Sequence, residues 1–193
     1  MKHRWLGPAV LVLLASPAFA DYMLPETDAR LLFVVDDWNL TWEDPTGEGG
    51  PSVTLTFERN GRQETWGVDD FWLADRIDSD SICTGGHTAK MKEYVAGLQA
   101  LQPRLPLLVE MVRVKDSPGF FAVGLWKVEA ESTYARGCEQ GSYVLGLTAD
   151  EVKACGSAEA YVKLIRDRCA TSWAEMERLN KESPAFLEPA PKK

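Results

Sequence analysis

Histidine is scarce in this chain, and much of the catalytic and metal-binding chemistry of proteins depends on it. The sequence has two histidines, His3 and His87, and His3 lies in a leader that we expect to be removed. A centre with several histidine ligands is therefore excluded. Zinc is further disfavoured because there is no C-x-x-C pair. No G-x-S-x-G motif occurs either, which excludes the nucleophile elbow of the α/β-hydrolases.

Long apolar runs are also lacking. The run at 6–14 is far shorter than the about 20 residues that a membrane-spanning helix needs. It follows Lys2 and Arg4 and precedes Ala18, Phe19 and Ala20, which together form the pattern of a secretory signal peptide. We therefore expect residues 1–20 to be a cleaved signal and the rest to work in the periplasm without a membrane span.

Basic residues are few in the first half of the remaining chain. Residues 21–86 hold 15 acids and 4 bases, whereas residues 87–193 hold 14 acids and 15 bases. Like charges repel nucleic acid and anionic lipid surfaces from such a first half, and a cationic partner is steered toward it. The composition therefore favours a basic protein partner and disfavours nucleic acid.

The four cysteines are Cys83, Cys138, Cys155 and Cys169. An even number in an oxidising compartment predicts two disulfides. Cys155 and Cys169 lie 14 positions apart in a region that is predicted to be helical, which separates them by about 18–21 Å. A disulfide needs Cα atoms within about 7 Å. Each of these two is therefore expected to pair with Cys83 or Cys138, in either arrangement.

Alternating apolar residues predict most of the strands. Asn60-Gly61 between two alternating runs indicates a hairpin with a type I′ turn, which sets Leu55 opposite Trp66 and Val53 opposite Val68. The predicted strands cover residues 31–42, the two arms of this hairpin, 107–115, 120–128 and a short segment at 143–147.

Helical periodicity marks one helix in the middle of the chain and two at its end. The first covers residues 88–102. Thr148 and Glu151 form a capping box that begins the second, and Ser157 can cap the third, on which Cys169 faces inward. Residues 130–142 are predicted to be a loop.

These elements define an α+β fold in a single domain over residues 21–183, followed by a Pro-rich tail at 184–193. We expect an antiparallel sheet of five to six strands, with one helix inserted mid-chain and a C-terminal helical pair packed on it. Two disulfides are expected to fasten the helices to the sheet.

The candidate site is an Asp-rich segment between the hairpin and the first helix. It combines an adjacent aromatic pair with acids and has no regular apolar period. Aromatic anchors with a charged rim are typical of protein-binding surfaces. The predicted partner-binding residues are Asp69, Asp70, Phe71, Trp72, Asp75, Asp78 and Asp80.

Two other chemistries are possible for this segment. Asp75, Asp78 and Asp80 are spaced like calcium ligands, but the EF-hand pattern fails because Ile82 occupies its third ligand position. Cys83 and His87 could form a nucleophile and its base only if Cys83 were free, and it is expected to be oxidised.

The sequence thus predicts a monomeric periplasmic protein that acts by protein–protein contact and needs no cofactor. The most specific function predicted is that of an inhibitor or immunity-type protein that blocks a cationic envelope hydrolase. The expected partner is a basic periplasmic or imported protein. One alternative is a carboxylate-dependent cell-wall hydrolase, for which two acids beside a glycan cleft suffice. Another is an accessory factor of an envelope assembly.

Overall fold

The computed structural model describes residues 26–44, 51–68, 87–101, 105–115 and 119–182. The predicted signal peptide, the Pro-rich tail and most of the Asp-rich segment lie outside these residues. In chain order the elements are β1 (Thr27–Val35), β2 (Asn39–Glu43), β3 (Ser52–Arg59), β4 (Arg62–Val68), α1 (His87–Gln99), β5 (Leu107–Val114), β6 (Phe121–Lys127), α2 (Ala130–Gln140), α3 (Ala149–Lys153), α4 (Ala158–Cys169) and α5 (Ser172–Glu182).

The α+β class is confirmed, but the sheet is mixed and not antiparallel throughout. Its six strands have the order β1-β5-β6-β4-β3-β2. β6 pairs parallel with β4 through Val68 and Ala122, and the other pairings are antiparallel. The prediction of a purely antiparallel sheet was wrong because the chain from β4 passes through α1 and β5 before β6 returns beside β4, and parallel neighbours need such a crossover.

The sheet is strongly curled. β1 and β2 occupy its opposite ends, yet only residues 36–38 join them. A flat sheet of six strands would hold its outer strands about 24 Å apart, whereas four Cα steps from Val35 to Asn39 reach about 15 Å at most. Asp37 makes the bend with a positive φ of 49°, and Trp38 is 1% exposed. The single strand predicted over 31–42 is therefore two strands.

Apolar residues cover both faces of β5, which explains its nearly uninterrupted apolar sequence. Leu107, Val109 and Met111 belong to the main core, which α1 and α5 cover. Leu108 faces the other way, into a second core beneath the remaining helices. Strand β5 therefore separates two cores, and a different set of helices packs on each of them.

The C-terminal helices differ from the predicted pair. Three helices, α3, α4 and α5, replace two, and residues 130–140 form helix α2 where a loop was predicted. The predicted strand at 143–147 is a tight turn closed by a bridge between Ser142 and Leu147. The described chain from residue 130 to residue 182 is thus almost wholly helical, apart from this turn and the short connections between helices.

The predicted disulfides are not found. Cys138, Cys155 and Cys169 are free thiols, and Cys83 lies outside the described residues. Cys138 is on α2, next to Tyr134, and its hydrogen bond raises the pKa of that tyrosine. Cys155 lies in the turn after α3, and its thiol contacts the carbonyl oxygen of Glu151 at 3.8 Å. The prediction was wrong for these three cysteines, and Cys138 lies on helix α2 instead of the predicted loop.

Candidate binding cleft

The predicted partner-binding residues all lie between the end of β4 and the start of α1, outside the described residues. They are Asp69, Asp70, Phe71, Trp72, Asp75, Asp78 and Asp80, three of which were also the possible calcium ligands. In the described part of the chain, no cluster of three or more His, Cys, Asp or Glu side chains is arranged to hold a metal ion. No described helix is long and apolar enough to cross a membrane.

The structure does describe the strand ends from which this segment departs. Trp42, Val53 and Val68 lie in one row across β2, β3 and β4. Glu43, the last residue of the edge strand β2, and Asp44 follow directly after Trp42. The Asp-rich segment therefore begins at the end of the sheet that already carries two more acids.

Part of the charge asymmetry in the sequence is neutralised in the fold. Several acids of the first half form ion pairs with bases of the second half, and the nearby base lowers the pKa of two of these acids, Asp28 and Asp44. The pairs are Glu26–Lys115 (2.9 Å), Asp28–Arg113 (2.8 Å), Asp36–Arg166 (3.1 Å) and Asp44–Lys92 (2.5 Å). The described acids of the first half are thus less available to a partner than their number suggests.

A cleft of about 480 Å³ lies over the second core. The outer face of β5 and the end of β6 form its floor, α2 forms one side, and the turn at 141–147 forms its end wall. Leu108, Leu145 and Ile165 are buried at 6%, 7% and 1% exposure. The cleft therefore reaches down to apolar side chains of the core.

Trp126 forms the aromatic part of the floor. A methyl group at Gly124 would lie 2.1 Å from Cη2 of the Trp126 ring, so the indole lies directly over the Gly124 backbone. Any larger residue at 124 would push the ring away from the sheet. The position of the ring thus depends on a glycine on the same strand and is fixed before any ligand binds.

The cleft continues past Trp126 into a second cavity of about 340 Å³ beneath α1. Trp126, Lys127 and Arg136 line both cavities. Tyr94 lies in the second cavity, and its hydroxyl donates a hydrogen bond to the carbonyl oxygen of Leu125. Burial raises the pKa of Tyr94, and the nearby positive charge of Arg136 partly opposes this rise.

Lys127 and Arg136 are exposed and carry the cleft's positive charge. Nζ of Lys127 lies 3.7 Å from Oε2 of Glu129, a contact that helps to lower the pKa of Glu129 after the stronger effect of its hydrogen bond from Ser132. Arg136 makes no hydrogen bond or ion pair with any side chain that the structure describes. Arg136 is therefore the cation that is more available to a ligand.

The end wall is a compact turn that Gly141 makes possible. Gly141 has a φ of 75°, and a methyl group there would lie 2.5 Å from the carbonyl oxygen of Leu147. Arg30 on β1 donates from Nη2 to the carbonyl oxygen of Val144 at 2.9 Å. This turn presents Tyr143 at 76% exposure beside the cleft.

Sequence reasoning missed this cleft because it took residues 130–142 for a loop. A weak signal was present: Tyr134, Cys138 and Gly141 recur at three or four positions, which is the spacing of one helix face. The seating of Trp126 on Gly124 has a clearer signal, since the two residues are two apart on a predicted strand and so share a face.

Comparison with known protein families, with curated proteins and with solved structures finds no match to this chain.

Proposed function

We propose that the protein acts by binding, and that the cleft over Trp126 is where it holds its partner or ligand. The observation that carries the proposal is the arrangement of Trp126, Arg136 and Tyr143 around one cleft. Trp, Tyr and Arg are the residue types that contribute most to binding energy at protein interfaces. Here they surround a pocket whose floor is apolar, which is the general form of a ligand site.

A preformed cleft supports the same proposal. Gly124 fixes the Trp126 ring, and Arg30 fixes the end wall through Val144. On the other side, α2 packs tightly on its neighbours, because a methyl group at Gly137 would lie 2.9 Å from Cγ1 of Val152. A site whose walls are already ordered loses little conformational entropy when it binds.

Capture from a periplasmic extract tests this proposal. The immobilised protein is compared with its Tyr143→Ala and Phe121→Ala variants, and mass spectrometry identifies both the proteins and the small molecules that are retained. Tyr143 lines the cleft, whereas Phe121, which is also exposed, does not line it. We expect Tyr143→Ala to lose what the parent protein and Phe121→Ala both retain. If the parent protein and both variants retained the same molecules, the cleft would not be the binding site.

A second proposal keeps the role predicted from the sequence, an inhibitor or immunity-type protein that blocks a cationic envelope hydrolase in the periplasm. It is supported by the row of Trp42, Val53 and Val68, which brings Glu43 to the end of the sheet where the Asp-rich segment begins. Acids grouped at one end would steer a basic protein toward that end.

Charge reversal tests this second proposal. Replacing Asp69, Asp70 and Asp75 by lysine should weaken binding of a basic partner and reduce its salt dependence. Reversing Glu139, an exposed acid on α2, is the control. The hydrolase alternative would be favoured if the protein degraded isolated peptidoglycan and if changing one Asp or Glu to its amide abolished that activity. Co-purification with a large complex would favour the accessory factor.

A further inference from the structure

The charge in the cleft has one sign. Lys127 and Arg136 are the only charged residues among those that line its two cavities within the described chain, although the protein has a net charge of −8. The charge of the lining is therefore opposite in sign to the net charge of the whole protein. A local positive potential attracts anions and repels cations.

The charged and apolar parts of the cleft lie at different depths. Leu108, Leu145 and Ile165 are buried at the bottom, whereas Lys127 and Arg136 are exposed at the opening. A ligand that uses both parts must have an apolar portion that goes down and a charged portion that stays at the mouth. A cleft volume of about 480 Å³ lies within the range of sites for small organic molecules.

We propose that the cleft binds a small amphipathic organic acid, a molecule with an apolar chain or ring that ends in a carboxylate. This inference rests on the proposed function and names its ligand class. The apolar portion lies over Trp126 and down against Leu108 and Ile165. The carboxylate lies at the rim and accepts hydrogen bonds from Arg136, whose planar guanidinium can bind both carboxylate oxygens.

Arg136 contributes more than Lys127 to this recognition. Lys127 is already partly neutralised by Glu129, 3.7 Å away. Arg136 has no competing carboxylate among the described residues, so a ligand can pair with its guanidinium without first breaking an ion pair. Trp126 gives the chain or ring of the ligand a flat apolar surface between the two cavities.

Isothermal titration calorimetry with three matched probes tests the proposal: octanoate, octanol and octylammonium. They share one apolar chain and differ in charge. We expect octanoate to bind, octanol to bind at least about tenfold more weakly, and octylammonium not to bind. Arg136→Gln should weaken the binding of octanoate about tenfold or more, because it removes a charge-assisted hydrogen bond. It should leave the affinity for octanol unchanged. Arg62→Gln, at an exposed arginine on β4 outside the cleft, should change neither.

Each other result overturns the inference in a distinct way. Equal binding of octanoate and octanol would define an apolar site without charge recognition, and the proposed function would survive. Equal octanoate binding by Arg136→Gln and the parent protein would show that the carboxylate does not bind at Arg136. Binding only to vesicles with anionic lipid, or only to a glutamate-rich peptide, would replace the small acid by a membrane or by a protein partner. Failure of the proposed function itself is read separately, from unchanged capture by Tyr143→Ala.

Discussion

Arg30 on β1 lies against Glu110 on β5, with Nε of the guanidinium 2.5 Å from Oε1 of the carboxylate. Glu110 is completely buried, whereas the Arg30 side chain is 44% exposed. The same guanidinium donates to the carbonyl oxygen of Val144. Arg30 therefore pairs with the buried carboxylate of β5 and also holds the end wall of the cleft.

Arg30→Met is expected to destabilise the fold by removing the charge that compensates Glu110. Removing Arg30 takes a cation from the buried carboxylate of Glu110, and we expect the free energy of unfolding to fall by about 3 kcal/mol. The double variant Arg30→Met with Glu110→Leu should recover most of this loss, because no buried charge then remains. Urea unfolding of the two variants and the parent protein measures both effects. A single variant as stable as the parent would show that Arg30 does not compensate Glu110.

Local patterns predicted the hairpin fully. Asn60 and Gly61 have φ values of 54° and 73°, as a type I′ turn requires, and the register sets Leu55 opposite Trp66 and Val53 opposite Val68. The capping box between Thr148 and Glu151 is confirmed for the same reason. In both cases, the residues that determine the structure lie within a few positions of one another.

Long-range relationships could not be read in this way. The parallel pairing of Val68 with Ala122 joins residues from distant parts of the chain. The alternating pattern of β4 or of β6 predicts a strand but does not specify which strand lies beside it. Helix α2 has one buried residue, Gly137, so an apolar stripe was too faint to predict it. The cleft was missed because it depends on both features, a helix of low apolar content and its docking on the sheet.

Burial should protect Cys169 from alkylation. Desolvation raises the pKa of its thiol to about 11, from an ordinary value of 9.0. At pH 8 the reactive thiolate is therefore almost absent in the folded protein. We expect iodoacetamide to modify Cys169 only after urea is added, as measured by mass spectrometry of peptides. Rapid modification in the native state would contradict this burial.

The same thiol predicts a loss of stability at alkaline pH. The folded state holds the proton of Cys169 more tightly than the unfolded state does, so its contribution is complete below about pH 9 and is lost as the pH rises through about 11. Cys169→Ala should remove this part of the pH dependence, whatever its own effect at pH 7. Cys155→Ala is the control, and equal alkaline slopes in both variants would exclude Cys169 as the source.

The capping box should give stability that depends on the charge of Glu151. Its carboxylate accepts hydrogen bonds from the Thr148 backbone N–H at 2.7 Å and from the Thr148 hydroxyl at 2.8 Å, which lowers the pKa of Glu151 from 4.5. Its contribution is therefore present above pH 4.5 and is lost as the pH falls through the lowered pKa. Glu151→Gln keeps the shape of the box but not the charge. Unfolding curves should show the parent protein more stable than this variant at pH 7, with the difference vanishing in acid. A constant difference would contradict the assignment.

Two helical glycines should respond in opposite ways to alanine. On α1, a methyl group at Gly97 would have nothing within 4 Å, so Gly97→Ala should raise the free energy of unfolding by about 0.5–1 kcal/mol through its effect on helix propensity. On α2, a methyl group at Gly137 would lie 2.9 Å from Cγ1 of Val152 and 3.3 Å from the hydroxyl oxygen of Tyr161. Overpacking there should outweigh the propensity gain and lower stability by about 1–2 kcal/mol.

The Gly137 variant also tests how the cleft is built, because α2 forms its side and carries Arg136. If the close contact of α2 with Val152 sets the position of the helix, Gly137→Ala should weaken binding in the cleft as well as stability. Gly97→Ala, whose added methyl group displaces no neighbour, is the control for stability alone, because Gly97 itself lines the second cavity. Chemical denaturation and ligand titration of both variants separate these effects. If Gly137→Ala were stabilised as much as Gly97→Ala, α2 would not pack against α3 and α4 as closely as the structure places it.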